Sequence, residues 1–369
     1  MREEDGVADP ANGVNIRETI QAIVEGRELT LPEATAAMDA IMTGQVTGAQ
    51  IGALVMGLRM RGETEQEIAG FATAMRRHAL RVEIADDGRP LVDTCGTGGD
   101  ASNTFNISTT ASFAIAAAGV RVAKHGNRAV TSKCGSADLL EGLGIAIELT
   151  PEQVARCVEE VGIGFMYAPA FHPAMRFVGP TRREIGIRTI FNVLGPLTNP
   201  AGALHQLIGV GHADIAGKLA RVLGMLGSRH AVLVHAEEGL DEIGIGGPSA
   251  VTEFDARDGE IRTYQVDPEA FGLERGTTEQ LRGGGVEENV AITREVLSGV
   301  PGPRRSVTLL NAGAGIYAAN ATDAFGEGIQ LAAEAIDSGR ALATMEALAA
   351  YSSRLATESA AEIPQAVTA

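Results

Sequence analysis

Leu91 to Leu143 reads LVDTCGTGGDASNTFNISTTASFAIAAAGVRVAKHGNRAVTSKCGSADLLEGL, and its pattern decides the fold. A short apolar run, LVDTC, leads into the glycine turn Gly96-Thr97-Gly98-Gly99-Asp100. Hydroxyl and amide side chains follow at Asn103, Thr104, Asn106, Ser108, Thr109 and Thr110, then an alanine-rich helix and a second apolar run, VRVAK. Strand, turn, helix and strand in that order imply a mainly parallel sheet with helices on its faces. Ligands in such sheets sit beyond the carboxyl ends of the strands, where the glycine turn falls. Glycine lets backbone N–H groups converge on a phosphate, and the following helix adds its dipole. In a chain with 46 glycines a glycine pair alone reads as a plain turn, and its polar neighbours shift the reading.

The next loop, Lys124 to Asp138, strengthens the anion reading. From Asp93 to Gly135 the basic residues Arg121, Lys124, Arg128 and Lys133 outnumber the acidic Asp93 and Asp100, in a chain of formal net charge −17. The strand end puts Lys124, Asn127 and Lys133 beside the glycine turn as ligand candidates, whereas Arg121 reads as a solvated member of the loop. A global field this negative repels polyanions, so phosphate must be held by local donors. Aromatic residues at 4% and the absence of Trp further exclude a stacking platform for nucleic acid. A third constellation, Gly239-Leu240-Asp241-Glu242-Ile243, follows the run HAVLVHA. Adjacent carboxylates there can hold Mg²⁺ through oxygens and waters, although without the phosphate loop they read as a solvated turn. His78, His205, His212, His230 and His235 read as structural, with no HExxH or Ser/His/Asp pattern.

Outward from this centre, Asn15 to about Arg81 carries only helix signals. Ile16, Ile20, Ile23 and Val24 keep helical spacing up to Gly26, and three capping boxes pair Thr30 with Glu33, Thr47 with Gln50 and Thr64 with Glu67. IAIEL, GFMYA and HQLIGVG read as further buried strands, and a helix opens at Thr150-Pro151. His172 to Ala201 breaks the alternation with helical spacing at Ile187, Ile190, Phe191 and Leu194, and is expected to pack back onto the first helices and leave a cleft. AVTEFD and EIRTYQV form a β pair around Asp258-Gly259, followed by helices over Leu281–Ser298, Ser306–Asn320 and Phe325–Ser352. The expected fold is thus α/β: a small all-helical domain, 14–88 with 173–202, and a larger α/β domain, 89–172 with 203–352, between a disordered tail at 1–13 and a C-terminal tail at 353–369. Cys95, Cys134 and Cys157 show no CxxC spacing, which supports neither a disulfide framework nor zinc and fits a reducing cytoplasm. The first residues lack the apolar core of a signal peptide, and no apolar run reaches membrane-spanning length.

In order along the chain, GTGGD, NIST, KHGNRAVTSKCGSAD, RREIGIRTIFNVLGPLTNP and GLDE make this sequence resemble the anthranilate phosphoribosyltransferase family over Asn15 to about Ser352. The resemblance implies transfer of a phosphoribosyl group from phosphoribosyl pyrophosphate to the amine of anthranilate, in tryptophan biosynthesis, with Mg²⁺, two ions per site, as cofactor. It implies that Gly96, Thr97, Gly98, Gly99, Asp100, Thr104, Asn106, Ser108, Thr109, Lys124 and Ser136 bind phosphoribosyl pyrophosphate. Gly96, Asn127, Arg182, His125 and Gly195 would bind anthranilate, and Ser108, Asp241 and Glu242 the metal. No dedicated general base is implied, because the anthranilate amine is already neutral near pH 7. A homodimer through the helical domain is implied as well. Two departures stand out: Thr131 where the family often has Ser, and the apolar Ile243 to Ile245 after GLDE. A pyrimidine nucleoside phosphorylase, which works at the same ribose carbon, and a non-catalytic nucleic-acid-binding relative share the architecture. The carboxylate-binding segments and the charge of the chain fit them less well.

Overall fold

The structure, a computed structural model, describes residues 14–100, 102–129 and 133–362, with side chains to residue 358. The expected tail at 1–13, Thr131 and the residues beyond 362 lie outside the described residues. Four helices come first: α1 (Ile16–Val24), α2 (Leu31–Met42), α3 (Gly48–Arg61) and α4 (Glu65–His78). Then come β1 (Leu91–Gly96), α5 (Ile107–Ala117), β2 (Arg121–Gly126), α6 (Ser136–Gly142), α7 (Pro151–Val161) and β3 (Ile163–Tyr167). Short helices α8 (Ala168–Phe171), α9 (Gly179–Ile185) and α10 (Phe191–Leu194) precede β4 (His205–Gly209), α11 (Ala216–Met225) and β5 (His230–Ala236). The hairpin β6 (Ser249–Asp255) and β7 (Glu260–Val266) leads to α12 (Val286–Leu297), α13 (Pro303–Ala318), α14 (Phe325–Asp337) and α15 (Arg340–Glu362).

Two compact units result: Met1–Ala79 with His172–Leu194, and Leu80–Phe171 with Gly195–Ala369. Residues 80–88 and 195–202, expected with the helices, belong to the sheet unit, and His172 belongs to the helical one. Hydrogen bonds give the reason. Val82 N–H donates to the Pro200 carbonyl at 3.2 Å, and Asn199 Nδ2 to the Ala123 carbonyl of β2 at 2.9 Å. The guanidinium of Arg121 holds the carbonyls of Ala85 and Arg89 at 2.6 and 2.7 Å. Arg121 is 4% exposed, which corrects the expectation of a solvated side chain.

Within the helical unit α2 packs on α4 and α1 on α3, with α9 against α3 and α10 against α4. All three expected capping boxes form. The stretch with Ile187, Ile190, Phe191 and Leu194 is not one helix: Gly186, at φ +67°, ends α9, and Ile187 is 57% exposed, while the other three are buried. The third box has a second task. Glu67, fully buried, accepts from Thr64 N–H at 2.9 Å, from Leu29 N–H at 2.8 Å and from the Arg61 guanidinium.

The sheet unit carries seven strands in the order β3-β2-β1-β4-β5-β6-β7. The first five are parallel, and β5-β6 and β6-β7 are antiparallel. Connections leave β1 and β4 toward opposite edges, so the switch point of this doubly wound sheet lies between them. Helix α5 is apolar nearly all round, with Phe113 and Ile115 fully buried, because α13, α14 and α15 pack on it as well as the sheet. Two expectations fail here. IAIEL is no strand: Ile145, Ile147 and Leu149 alternate inward, but Ala146 N–H donates to Ser352 Oγ at 3.1 Å and, among the described residues, no strand pairs with the segment. The helix expected over Phe325–Ser352 is two, parted at Gly339 with φ +77°, and the second runs on to Glu362 into the expected tail.

Replacing Glu67 with Leu strands two main-chain donors and takes the carboxylate away from the partly buried Arg61 guanidinium. The expected cost is about 3–5 kcal/mol, read by hydrogen exchange as lost protection in α1 to α4 while β1 to β5 keep theirs. Equal protection in both proteins would refute it.

Candidate active site

The carboxyl ends of β1, β4 and β5 lie side by side, with Gly96 opposite Gly209 and Gly209 opposite Val234. Beyond β1 the chain turns through Gly98 and Gly99, at φ +65° and +87°. Thr97 N–H donates to the Gly209 carbonyl at 2.8 Å, and Gly211 N–H to Thr97 Oγ1 at 3.0 Å. The loop after β5 then drops into the notch left by two glycines. A Cβ on Gly96 would lie 2.6 Å from Asp241 Oδ2, and one on Gly209 only 1.6 Å from the Asp241 carbonyl oxygen. Asp241 Oδ2 accepts from Gly98 N–H at 2.9 Å, and Glu242 Oε1 from Ser108 N–H at 3.1 Å. The main-chain donors suited to an anion therefore already face carboxyl oxygens.

Those oxygens are crowded. Burial, then repulsion from Asp100, pushes the Asp241 carboxyl up to about 7. Burial, then repulsion from Asp241, pushes Glu242 up to about 8, against the pull of Lys124 and of Ser108 N–H. Both side chains keep partial exposure, so water and a cation can reach them. Partly buried acids that repel one another fit a divalent cation that takes few protein oxygens and leaves positions for water and substrate phosphate. The apolar residues after them, unexpected in sequence, anchor the loop: Ile243 and Ile245 are fully buried, and Asn311 of α13 clamps Ile243 at both N–H and carbonyl, at 3.0 and 2.9 Å.

Lys124, 3% exposed, comes from the end of β2. Its ammonium donates to the Thr94 carbonyl, to Thr94 Oγ1 at 3.3 Å and to Ser108 Oγ at 3.4 Å. Burial lowers its pKa, while Asp93, Cys95 and Glu242 oppose that. Asp93, fully buried, accepts from His125 N–H at 3.2 Å, and burial raises its own pKa. His125 Nδ1 meets the Gly195 carbonyl at 3.3 Å, so Gly195 stands with the sheet and not with the helices as expected.

Other expected residues are placed differently. Asn127 is exposed, and its carbonyl accepts from Ser136 Oγ at 3.1 Å. Lys133 and Thr104 line a cavity of about 230 Å³ with Asn103, Cys134, Arg282 and Asn289. Both amide atoms of Asn106 are engaged, by the Cys134 carbonyl and by Asn289. Thr109 is buried in the first turn of α5. Arg182, in the helical unit, is exposed and has its guanidinium 5.7 Å from the ring centre of Phe191. Sequence reasoning missed Asp93, Gly209, Asn289 and Asn311, whose partners lie far along the chain.

Among the described residues, the only group that brings three ligand types within 4.8 Å is elsewhere: His230, Glu253 and Asp255. It is already satisfied internally. Glu253 accepts from Tyr264 and Tyr317 hydroxyls at 2.7 and 2.9 Å and pairs with His230 Nε2 at 3.0 Å, while Arg257 covers Asp255. The geometry reads as a structural network.

Comparison with known proteins identifies the family. Residues 88–342 match the glycosyl transferase family, a/b domain, and residues 17–79 match the glycosyl transferase family, helical bundle domain. An anthranilate phosphoribosyltransferase of Symbiobacterium thermophilum is 56% identical over 342 residues, covering 92% of this chain and 99% of the relative. One from Thermomicrobium roseum is 53% identical over 95% of this chain and 99% of its own length. The crystal structure of the Thermus thermophilus anthranilate phosphoribosyltransferase superposes with a TM-score of 0.85 at 44% identity, over 91% of this chain and 99% of that one. The Saccharomyces cerevisiae protein in complex with phosphoribosyl pyrophosphate and magnesium gives 0.83 at 28% identity, over 92% and 98%. By sequence and by fold, the chain belongs to the anthranilate phosphoribosyltransferase family.

Proposed function

We propose that this chain transfers the 5-phosphoribosyl group from phosphoribosyl pyrophosphate to the amine of anthranilate, releasing pyrophosphate, as a step of tryptophan biosynthesis. The observation that carries the reading is the set of inward N–H groups and crowded acids at the switch point, where Gly98 and Ser108 donate to Asp241 and Glu242. Cleavage at the anomeric carbon gives the ring oxocarbenium character and leaves the new negative charge on the departing pyrophosphate. Asp241, Glu242 and Ser108 would hold Mg²⁺, two ions per site, which would supply charge neutralisation there. The backbone of Gly96 to Asp100, the first turn of α5 at Ser108 and Thr109, and the ammonium of Lys124 would bind the phosphates, with Thr104 and Ser136 at the margin. On the acceptor side, Arg182 would grip the anthranilate carboxylate through its planar fork, with Gly96, Asn127, His125 and Gly195 lining the ring. The amine needs no strong base, so rate enhancement comes from positioning and from leaving-group stabilisation. Exposed Val24 and Met60 on α1 and α3 support pairing of two copies through the helical unit, and free Cys95, Cys134 and Cys157 fit a cytoplasmic setting.

Loss of anthranilate fluorescence in the presence of phosphoribosyl pyrophosphate and Mg²⁺ tests the reaction; a constant signal at high enzyme would reject it. Arg182→Ala should raise KM for anthranilate at least tenfold, about 1.4 kcal/mol, with KM for phosphoribosyl pyrophosphate little changed. Equal effects on both substrates would remove Arg182 from the acceptor side.

The acid pair makes a pH prediction. Carboxyls raised to about 7 and about 8 in the fold bind protons that the unfolded chain, with ordinary carboxylates, has released. Their contribution is therefore stabilising at low pH and is lost as pH rises through 7 to 8. Without metal, the melting temperature should fall over pH 5 to 8 more steeply in the natural protein than in the variant combining Asp241→Asn and Glu242→Gln. Mg²⁺ needs the deprotonated acids, so its affinity should rise over pH 6 to 8, by roughly tenfold per pH unit for each proton displaced. A titration independent of pH, or equal in the double variant, would exclude the pair as metal ligands.

A further inference from the structure

Strands β1 and β2 are neighbours that part early. On its other side β1 follows β4 from Val92 opposite His205 to Gly96 opposite Gly209, and β2 follows β3 from Val122 opposite Ile163 to Gly126 opposite Tyr167. Between β1 and β2 only Leu91 with Arg121 and Val92 with Val122 are paired. A seam therefore opens in the middle of the parallel sheet, toward the end that carries the glycine turn.

Arg121 N–H donates to the Pro90 carbonyl at 3.2 Å. In a parallel ladder of this register, the bonds due after the Val92–Val122 pair join Thr94 N–H to the Ala123 carbonyl and His125 N–H to the Thr94 carbonyl. Side chains take these groups instead. Asp93 Oδ1 accepts from His125 N–H at 3.2 Å, Asn199 Nδ2 donates to the Ala123 carbonyl at 2.9 Å, and the Lys124 ammonium donates to the Thr94 carbonyl. Asp93, Lys124 and Asn199 are all buried, where main-chain groups need partners, so the three side chains stand in for the missing ladder. The other contacts of the ammonium, with Thr94 Oγ1 at 3.3 Å and Ser108 Oγ at 3.4 Å, are long. They can yield to a phosphate oxygen while the Thr94 carbonyl keeps hold.

We propose that Asp93 is a positioning residue: by drawing His125 N–H away from the Thr94 carbonyl it keeps the seam between β1 and β2 open, and so leaves that carbonyl as the seat of the Lys124 ammonium. This rests on the reading of Lys124 as a phosphate-binding group. With an apolar side chain at position 93 the ladder can close, His125 N–H takes the Thr94 carbonyl, and the ammonium loses its seat.

The chain has three lysines, Lys124, Lys133 and Lys218, so nitrogen NMR of the full chain, isotope-labelled at lysine, can follow each ammonium. The metal-free natural protein should show a Lys124 signal sheltered from exchange with water, assigned by its loss in Lys124→Met, and Asp93→Val should abolish it. The same variant should raise Kd for phosphoribosyl pyrophosphate with Mg²⁺ at least about tenfold, the loss of one charge-assisted hydrogen bond. Its melting temperature should hold, since a closed ladder replaces a buried carboxylate; Asp93→Ala serves if the valine variant does not fold. Asp93→Asn, which still offers an oxygen to His125 N–H, should keep the signal and lose less than about threefold in affinity. Adding Asp93→Val to Lys124→Met should weaken binding no further. A Lys124 signal that survives in Asp93→Val, an asparagine variant as weak as the valine one, or additive losses in the double variant would overturn the proposal. A natural protein that shows the sheltered signal yet binds no phosphoribosyl pyrophosphate would instead overturn the functional reading on which it stands.

Discussion

Close approach of one loop to the ends of two strands governs the site. The Asp241 carbonyl and carboxylate occupy space that any side chain at positions 96 and 209 would fill. Because the loop reaches that far, its two acids arrive at N–H groups of the glycine turn and of α5. The clamp from Asn311 and the burial of Ile243 and Ile245 hold the loop from behind. Remove the notch, and the acids, the phosphate donors and Lys124 no longer share one place.

The electrostatic situation follows. A chain of net charge −17 attracts no phosphate at long range, so selectivity must be local. Lys124 is sunk among Thr94, Ser108 and Asp93 rather than waving in solvent. A buried ammonium with fixed partners keeps its direction and loses little freedom on binding, which suits a group that must meet developing charge. The acids repel one another as well as being buried, which raises both carboxyls and makes their charge depend on what else lies beside them.

Much of this was legible in the sequence because the signals were local. Seven of the eight expected strands appear, the hairpin turns at Asp258-Gly259, and the caps at Thr30, Thr47, Thr64 and Thr150 form as their spacing implies. What was illegible depends on partners far along the chain. Ile145 to Leu149 has the alternation of a strand, yet Ala146 N–H finds its partner in the distant hydroxyl of Ser352. Arg121 looks like any loop cation, yet carbonyls from 85 and 89 pull it inside. Asn289 and Asn311 are polar residues at buried helix positions without a motif, and their meaning lies in the loops they hold. Gly195 could be assigned to the sheet only once Asn199 and Gln206 were seen to tie its neighbours to β2 and β4.

Each unit is assembled from two separate pieces of chain, and this has a consequence for the protein while it is being made. Helices α1 to α4 leave the ribosome first, but the segment with α9 and α10 that packs on α3 and α4 follows only after β3. At ordinary rates of synthesis that gap lasts on the order of 5 to 20 seconds. Strand β1 waits as well, since its neighbour β4 begins at His205. A nascent chain halted near Phe171 would therefore carry two unfinished cores, and the unfinished helical one, older and open longer, is where a chaperone would find most to cover.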